Sequence, residues 1–289
     1  MSGIAFIVPN ADFSGSVLGQ VTIQKTVEEM ASTVVKAYTD KIGSTQYSSQ
    51  LTNMVMSLMR EGIWNGIDVY PMLGSTLNHM AININPNNGF QGLDLKFGTN
   101  ASYVTNGVEF AEGDDYGSTI TDVTYKAYDG TAAEVTQSLN GFYILSDLRR
   151  YTLNGRIRTF YTTRGNQNTP VTIKIGSTGK AIWEISNTSL SSTTLIGTSR
   201  NNVSFSINNG TMIEYIDGVQ DVSTAVGFAS DSPNVRIGNF LGASPVNDTA
   251  VTTFNGSCWF WAIGIIDPSK HATANTIFKT FLDAVKPNI

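Results

Sequence analysis

The chain has 289 residues, carries a formal net charge of −5, and is only 14% charged, well under the quarter or so usual for soluble domains. No basic block is present, so nucleic acid is excluded as a partner. A single cysteine, Cys258, rules out an internal disulfide and reads as a small buried apolar residue.

Residues 1–24 read as an extended arm. The run IAFIVPNADFSGSVLGQVTI mixes apolar residues with turn formers and has no helical period. Its apolar start, Gly3 to Val8, is too short for a signal-peptide core or a membrane span. The expectation is a protein made in the cytoplasm, with no membrane partner.

Residues 25–75 read as a helical hairpin. Thr26 with Glu29 forms a capping-box signature. Behind it Val27, Met30, Ala31, Val34, Val35 and Tyr38 fall on one helical face, and Gly43 supplies the stop. A second helix carries Leu51, Met54, Val55, Leu58 and Met59 and ends at Gly62. The glycine predicts a left-handed cap that folds Ile63 and Trp64 back onto Leu58 and Met59. Trp64 is then a packing wedge rather than a sugar platform. Pro71 turns the chain toward the first strand and Gly74 lets it pass.

Residues 76–289 change character. Short β-like runs such as HMAINI, LDLKF, GFYILSDL, AIWEIS, VSFSIN, MIEYIDG and CWFWAIGII alternate with Gly, Asn, Asp and Ser clusters. This spacing predicts a sandwich or barrel. Asn208 to Gly210 marks a hairpin, as does Asp217-Gly218. A final helix starts at Asp267 with Pro268 at its first position, presents Ala274, Ile277, Phe278, Phe281, Leu282 and Val285, and ends at Pro287.

Residues able to do chemistry are sparse. Two histidines, His79 and His271, cannot build a three-His metal site, and no nucleophile or phosphate-loop motif is present. A retaining glycosidase must bring two carboxyls within about 5–5.5 Å across the sugar. Glu184 has Ser186 where a second acid would share its face. Glu214 and Asp217 fall on opposite faces of a strand, and Asp217 reads as a turn residue. Glu112 to Gly117, EGDDYG, offers oxygens to Ca²⁺ but reads better as a solvated turn. Trp183 lies in an alternating strand. Trp259 and Trp261 read as sharing one face of a strand, with Phe260 on the other, so that strand is expected to be buried on both faces. No catalytic, cofactor-binding or metal-binding residue is assigned, and the chain is expected not to be an enzyme.

Several stretches in series resemble bacteriophage virion proteins. LMREGIWNGIDVYPMLGST, AININP, LDLKFGTNASYVTNGVEF, LIGTSRNNVSFSINNGTMIEYIDGVQ, NVRIGNF and FNGSCWFWAIG follow in order from about residue 45 to the end. The opening FIVPNADFSGSVLGQVT is similar to the N-termini of virion proteins of crAss-like Bacteroides phages. The resemblance implies a mainly β chain: a concanavalin A-like, laminin G-like jelly-roll sandwich, preceded by the arm and helical collar and closed by a helix. It implies a head-fibre or tail-appendage subunit located in the virion. That subunit would be a homo-oligomer, trimeric by analogy with fibres, docked through its arm to other virion proteins. The alternative it leaves is a glycan-binding receptor protein that contacts a host surface glycan. A polysaccharide hydrolase is the weakest reading, because the acid pair of the fold's enzymes is missing.

Overall fold

The computed structural model describes residues 25–87, 92, 94–97, 101–104, 107–110, 123–125, 136–137, 140–150, 158–163, 171–175, 178–185, 188–196, 198–225, 235–236, 239–241, 252–253 and 256–285. The arm at 1–24, the acidic run at 112–117, Ser186 and Pro287 lie outside them.

In chain order the elements are α1 (Val27–Ile42), α2 (Ser48–Arg60), β1 (Ile67–Tyr70), α3 (Leu77–Met80), β2 (Leu95–Phe97), β3 (Ala101–Val104), β4 (Gly107–Phe110), β5 (Val123–Tyr125) and β6 (Thr136–Gln137). There follow β7 (Phe142–Arg150), β8 (Arg158–Thr163), β9 (Val171–Ile175), β10 (Lys180–Ile185), β11 (Thr188–Leu195), β12 (Arg200–Asn208), β13 (Thr211–Ile216) and β14 (Val219–Ala225). The chain closes with β15 (Val235–Arg236), β16 (Asn239–Leu241), β17 (Thr252–Thr253), β18 (Gly256–Ile265), a 3₁₀ turn at Pro268–Lys270, and α4 (His271–Val285).

Two sheets form the expected sandwich. The first runs β14-β13-β12-β7-β18-β4-β3, with β1 also on β18; the second runs β11-β10-β9-β8-β16-β5-β2, with β17 on β8. Strand pairs are antiparallel except β17 with β8. Phe142, Ile144 and Leu148 of β7, Val203, Phe205 and Ile207 of β12, and Trp261 and Ile263 of β18 face Ala181, Trp183 and Leu190 of the second sheet. The alternate residues of β7 and β18, Tyr143, Leu145, Phe260 and Ala262, pack instead against α1, α2 and α4. The order of layers is therefore helices, first sheet, second sheet. The central sheet is covered on both sides, which is why β18 reads as a continuous apolar run.

The helices form where their patterns place them. The Thr26 hydroxyl accepts from the Glu29 amide at 3.2 Å, and the Glu29 carboxylate accepts from the Thr26 amide at 2.8 Å, completing the capping box. The stripe that α1 buries centres on Ala31, Val35, Tyr38 and Ile42, leaving Met30 at its rim, 38% exposed. Past α2, Gly62 takes φ 70°. The Ile63 amide donates to the Leu58 carbonyl at 2.9 Å and the Gly62 amide to the Met59 carbonyl at 3.1 Å. These two bonds define a Schellman cap. Ile63 and Trp64 are buried with Leu58 in the helical core. Trp64 is thus the wedge that joins the hairpin to the sheet. Replacing it with Leu leaves a hole at this junction and should cost about 2 kcal/mol, read as a lower denaturant midpoint with an unchanged slope.

Three features depart from the sequence reading. The run HMAINI is not a strand: residues 77–80 form the short helix α3, capped by the Thr76 hydroxyl, which accepts from the His79 amide. Beyond it, Asn side chains replace a ladder. Asn83 accepts from the amides of Val69 and Asn85 and donates to Asp68, while Asn85 donates to the carbonyls of Trp64 and Ile67. Side-chain amides bonding to local backbone offer it an alternative to strand pairing. The second departure is β1, a strand inside the segment read as helical. Its approach to β18 needs glycine, since a Cβ at Gly264 would lie 2.0 Å from the Gly66 carbonyl oxygen. Third, the register of β18 against β7 shifts between Cys258 and Phe260. This β-bulge puts Trp259 on the helix side beside Phe260. Trp259 and Trp261 therefore do not share a face: Trp261 stacks on Tyr70 in the sandwich, centroids 5.3 Å apart, while Trp259 carries the Arg200 guanidinium 4.7 Å above its ring.

The closing helix is held by polar contacts as well as by its apolar face. Tyr143 and Ser204 both donate to the Asn275 side-chain oxygen, at 2.9 and 2.6 Å. Asn275→Ala should lower stability by about 1–3 kcal/mol by leaving two buried hydroxyls without this acceptor; a thermal melt measures it.

Candidate functional site

A cleft of about 360 Å³ opens where the helical layer meets the edge of the first sheet. That is within the range of small-ligand pockets, about 300–1,000 Å³. One wall is the turn between α1 and α2, contributing Ile42, Gly43, Ser44, Gln46 and Tyr47, with Leu51 behind it. The opposite wall is Leu73, Gly74 and Ser75, the segment that follows β1, and the edge strand β3 adds Tyr103.

Local rules explain each wall. Gly43 takes φ 65° to end α1, which turns the chain sharply enough for Tyr47 to lead into α2. Leu51 and Tyr47 anchor the turn in the helical core. The Ser75 amide donates to His79 Nδ1 at 3.3 Å, tying the second wall to α3. Gly74 is required there, because a Cβ would come within 2.6 Å of His79 Cβ. Tyr103 remains 41% exposed, a large ring at the cleft mouth.

The lining is polar without being charged. Gln46 donates from its amide nitrogen to the Tyr47 hydroxyl at 3.1 Å, and its backbone amide reaches the Ser44 hydroxyl at 3.4 Å. Burial raises the Tyr47 phenol above its ordinary range, against a smaller opposing pull from Arg200, so it stays a neutral hydroxyl at physiological pH. Arg200 itself donates from Nε to Asp147 at 2.5 Å and makes a second short contact through its terminal nitrogen. The arrangement can hold a small polar molecule by amide and hydroxyl bonds against an aromatic face; its described lining residues include no Asp, Glu, His or Cys.

The residues weighed in the sequence lie elsewhere. Glu214 is fully buried, on the same face of β13 as the core residues Met212 and Ile216. Glu184 neighbours Trp183, which points into the sandwich, so Glu184 faces out of the second sheet. The two carboxyls are not brought together. Asp217 is the turn residue expected, with φ 51°, accepting from the Asn202 amide and from Asn201. His79 is half-buried in α3. His271 is buried at the start of α4, with Nε2 at 3.3 Å from the Gly141 carbonyl, and burial lowers its pKa. Cys258 is buried and its thiol is pushed up by burial. Trp183 is a core residue, edge-on to Phe205 at 4.9 Å. Among the described residues no three His, Cys, Asp or Glu side chains gather as a metal set, and no helix is long and apolar enough to cross a membrane.

Sequence reasoning missed Gln46, Ser75 and Tyr103. They come from three distant segments and share no local pattern; only the Gly43 stop and the SYV alternation in β3 hinted at a turn facing an edge strand.

No family model matches the chain, and no curated protein matches it. Its fold is similar to solved sialidase structures. A Trypanosoma rangeli sialidase in complex with 2,3-difluorosialic acid superposes with a TM-score of 0.52 at 12% identity, over 76% of this chain and 32% of that one. The same organism's sialidase with 2,3-difluoro-KDN gives 0.52 at 11% identity, over 82% and 39%. A Ruminococcus gnavus IT-sialidase CBM40 gives 0.43 at 18% identity, over 63% and 97%. The chain thus spans about a third of the length of the sialidases it matches. At these identities the likeness is one of fold, a β-sandwich.

Proposed function

We propose that the chain is a glycan-binding β-sandwich that does no catalysis of its own. The observation that carries this reading is the cleft beside Tyr103: an exposed aromatic ring next to amide and hydroxyl groups, at a sheet edge. Sugars present one apolar C–H face and a rim of hydroxyls, and an aromatic surface bordered by hydrogen-bonding groups matches both. The likeness to sialidases and to a sialidase carbohydrate-binding module adds only that this kind of scaffold occurs in proteins that handle sugars. The described residues that line the cleft include no carboxylate, so a two-carboxylate hydrolase has no acid pair there.

Tyr103→Ala, at an exposed position, should weaken glycan binding about tenfold or more while the melting temperature stays within a degree or two. That corresponds to the loss of one well-formed aromatic contact. If the variant binds as the parent does, the cleft is not the site.

Within this reading the chain serves as a fibre or appendage subunit of a phage virion, displaying the sandwich toward a host surface. Support comes from the ordered series of motifs between residue 45 and the end and from the low charge. Residues 1–24 would dock it to head, tail or a partner fibre protein, and the helical layer would support a trimer. Particles should bind the full chain and lose binding when residues 1–24 are removed. Light scattering that returns a monomer at high concentration would remove the oligomer.

A further inference from the structure

We infer that the ligand of the cleft is an uncharged sugar, and that a carboxylate on the sugar is selected against; this rests on the proposed glycan-binding function. The fold's likeness to sialidases makes an acidic sugar the obvious guess. The chemistry of the cleft argues otherwise.

Recognition of a carboxylate in a half-enclosed site requires a cation or a set of converging donors, because a carboxylate stripped of water without them is costly. The described side chains that line the cleft contain no Lys, Arg or His. Their polar groups are those of Ser44, Ser75, Gln46 and the two tyrosines. Arg200 is near enough to act on Tyr47, but it is already committed. Its guanidinium is bonded to the buried Asp147 and sits over the Trp259 ring, and its side chain is only 10% exposed. Drawing it out would break a buried ion pair with Asp147, whose side chain is 1% exposed. Lys41 precedes Ile42 in the chain, yet it is not part of the lining. The whole molecule is also negative, with a formal net charge of −5, so its long-range field opposes an anion.

A neutral sugar meets none of these obstacles. Its hydroxyls both donate and accept, as do the Ser44 and Ser75 hydroxyls, and the Gln46 amide offers both an acceptor oxygen and a donor nitrogen. Its C–H face can lie on Tyr103.

The test is an array of glycans in which each core is printed twice, once neutral and once capped with sialic acid, probed with the full chain and with its Tyr103→Ala and Gln46→Ala variants. The expected result is binding to one or more neutral cores, with the capped partner at least about tenfold weaker, and loss of that binding in both variants at unchanged melting temperature. Equal or tighter binding of the capped form, with the same sensitivity to Tyr103→Ala, overturns the inference and leaves the cleft as a glycan site. Binding to neither form of any core overturns the glycan reading and this inference with it. Neutral binding untouched by either variant places the site elsewhere and removes the argument made from this lining.

Discussion

Glu214→Met should make the protein more stable at neutral pH, by about 3 kcal/mol or some 5 °C in melting temperature. Glu214 projects between the two sheets among Met212, Ile216, Phe205 and Val222. It is 0% exposed and neither of its oxygens has a hydrogen-bond partner among the described residues. Burial, and to a lesser degree the nearby negative charge of Asp221, pushes its pKa from 4.5 up to about 9. Asp221 itself is fixed: burial alone would raise it, but bonds from the hydroxyls and amides of Thr194 and Thr193 together hold it below its ordinary value. Below pH 4.5 Glu214 is protonated in both folded and unfolded chains and has no linkage effect. Between 4.5 and 9 the unfolded chain ionises while the folded one keeps its proton, so stability falls as pH rises, by about 1.4 kcal/mol per unit. Above 9 the folded chain ionises too and the slope ends. Methionine has similar volume, no charge and no polar atom to satisfy. The variant's stability should therefore run flat through this window where the parent's declines, and the gap between the two should narrow to its smallest, constant value below pH 4.5. Parallel profiles across the window would show that Glu214 is not held as an acid in the core.

What the sequence disclosed follows the range of the physics involved. The capping box at Thr26, the Gly62 cap, the hairpins at Asn209-Gly210 and Asp217-Gly218 and the apolar face of the final helix depend on neighbours within a few residues and formed as read, although Asp267 caps a 3₁₀ turn and the α-helix begins only at His271. The two-sided burial of β18 was legible because both faces of the strand are apolar. Its bulge was not, because nothing in CWFWA distinguishes an extra residue from regular alternation; the shift is set by pairing with β7. For the same reason Trp259 was placed on the wrong face. HMAINI failed as a strand because Asn83 and Asn85 find their partners at residues 64–69, a pairing that no local window contains. Glu214 alternates as a strand residue should, but its neighbours do not reveal that the face it shares with Met212 and Ile216 is the inner one. The candidate cleft was the least legible feature, since its walls come from residues 42–51, 73–75 and 103, and none of them carries a motif.

Arg200→Met should be among the most damaging single substitutions in the central sheet, lowering stability by about 3–5 kcal/mol at neutral pH. Arg200 opens β12, and Asp147 lies on β7 opposite Asn202 and Phe260, on the face covered by helices. Their side chains are 10% and 1% exposed, so solvent screens the pair weakly. Removing the guanidinium takes the Arg200 charge away from the buried Asp147 carboxylate, and also uncovers Trp259. The desolvation cost of both ions has already been met in the parent, so loss of one partner is worse than loss of both. Arg200→Met combined with Asp147→Leu should therefore recover most of the single variant's loss, leaving a coupling of 2 kcal/mol or more in a double-mutant cycle, about the upper range for neighbouring residues. Additive losses would mean that the two side chains contribute independently. The cycle also bears on the cleft: Arg200 acts on the Tyr47 phenol but is not part of the lining, so the double variant should bind a neutral glycan as the parent does. A selective loss of binding in that stable double variant would show that the cation contributes to recognition directly, against the uncharged-ligand assignment.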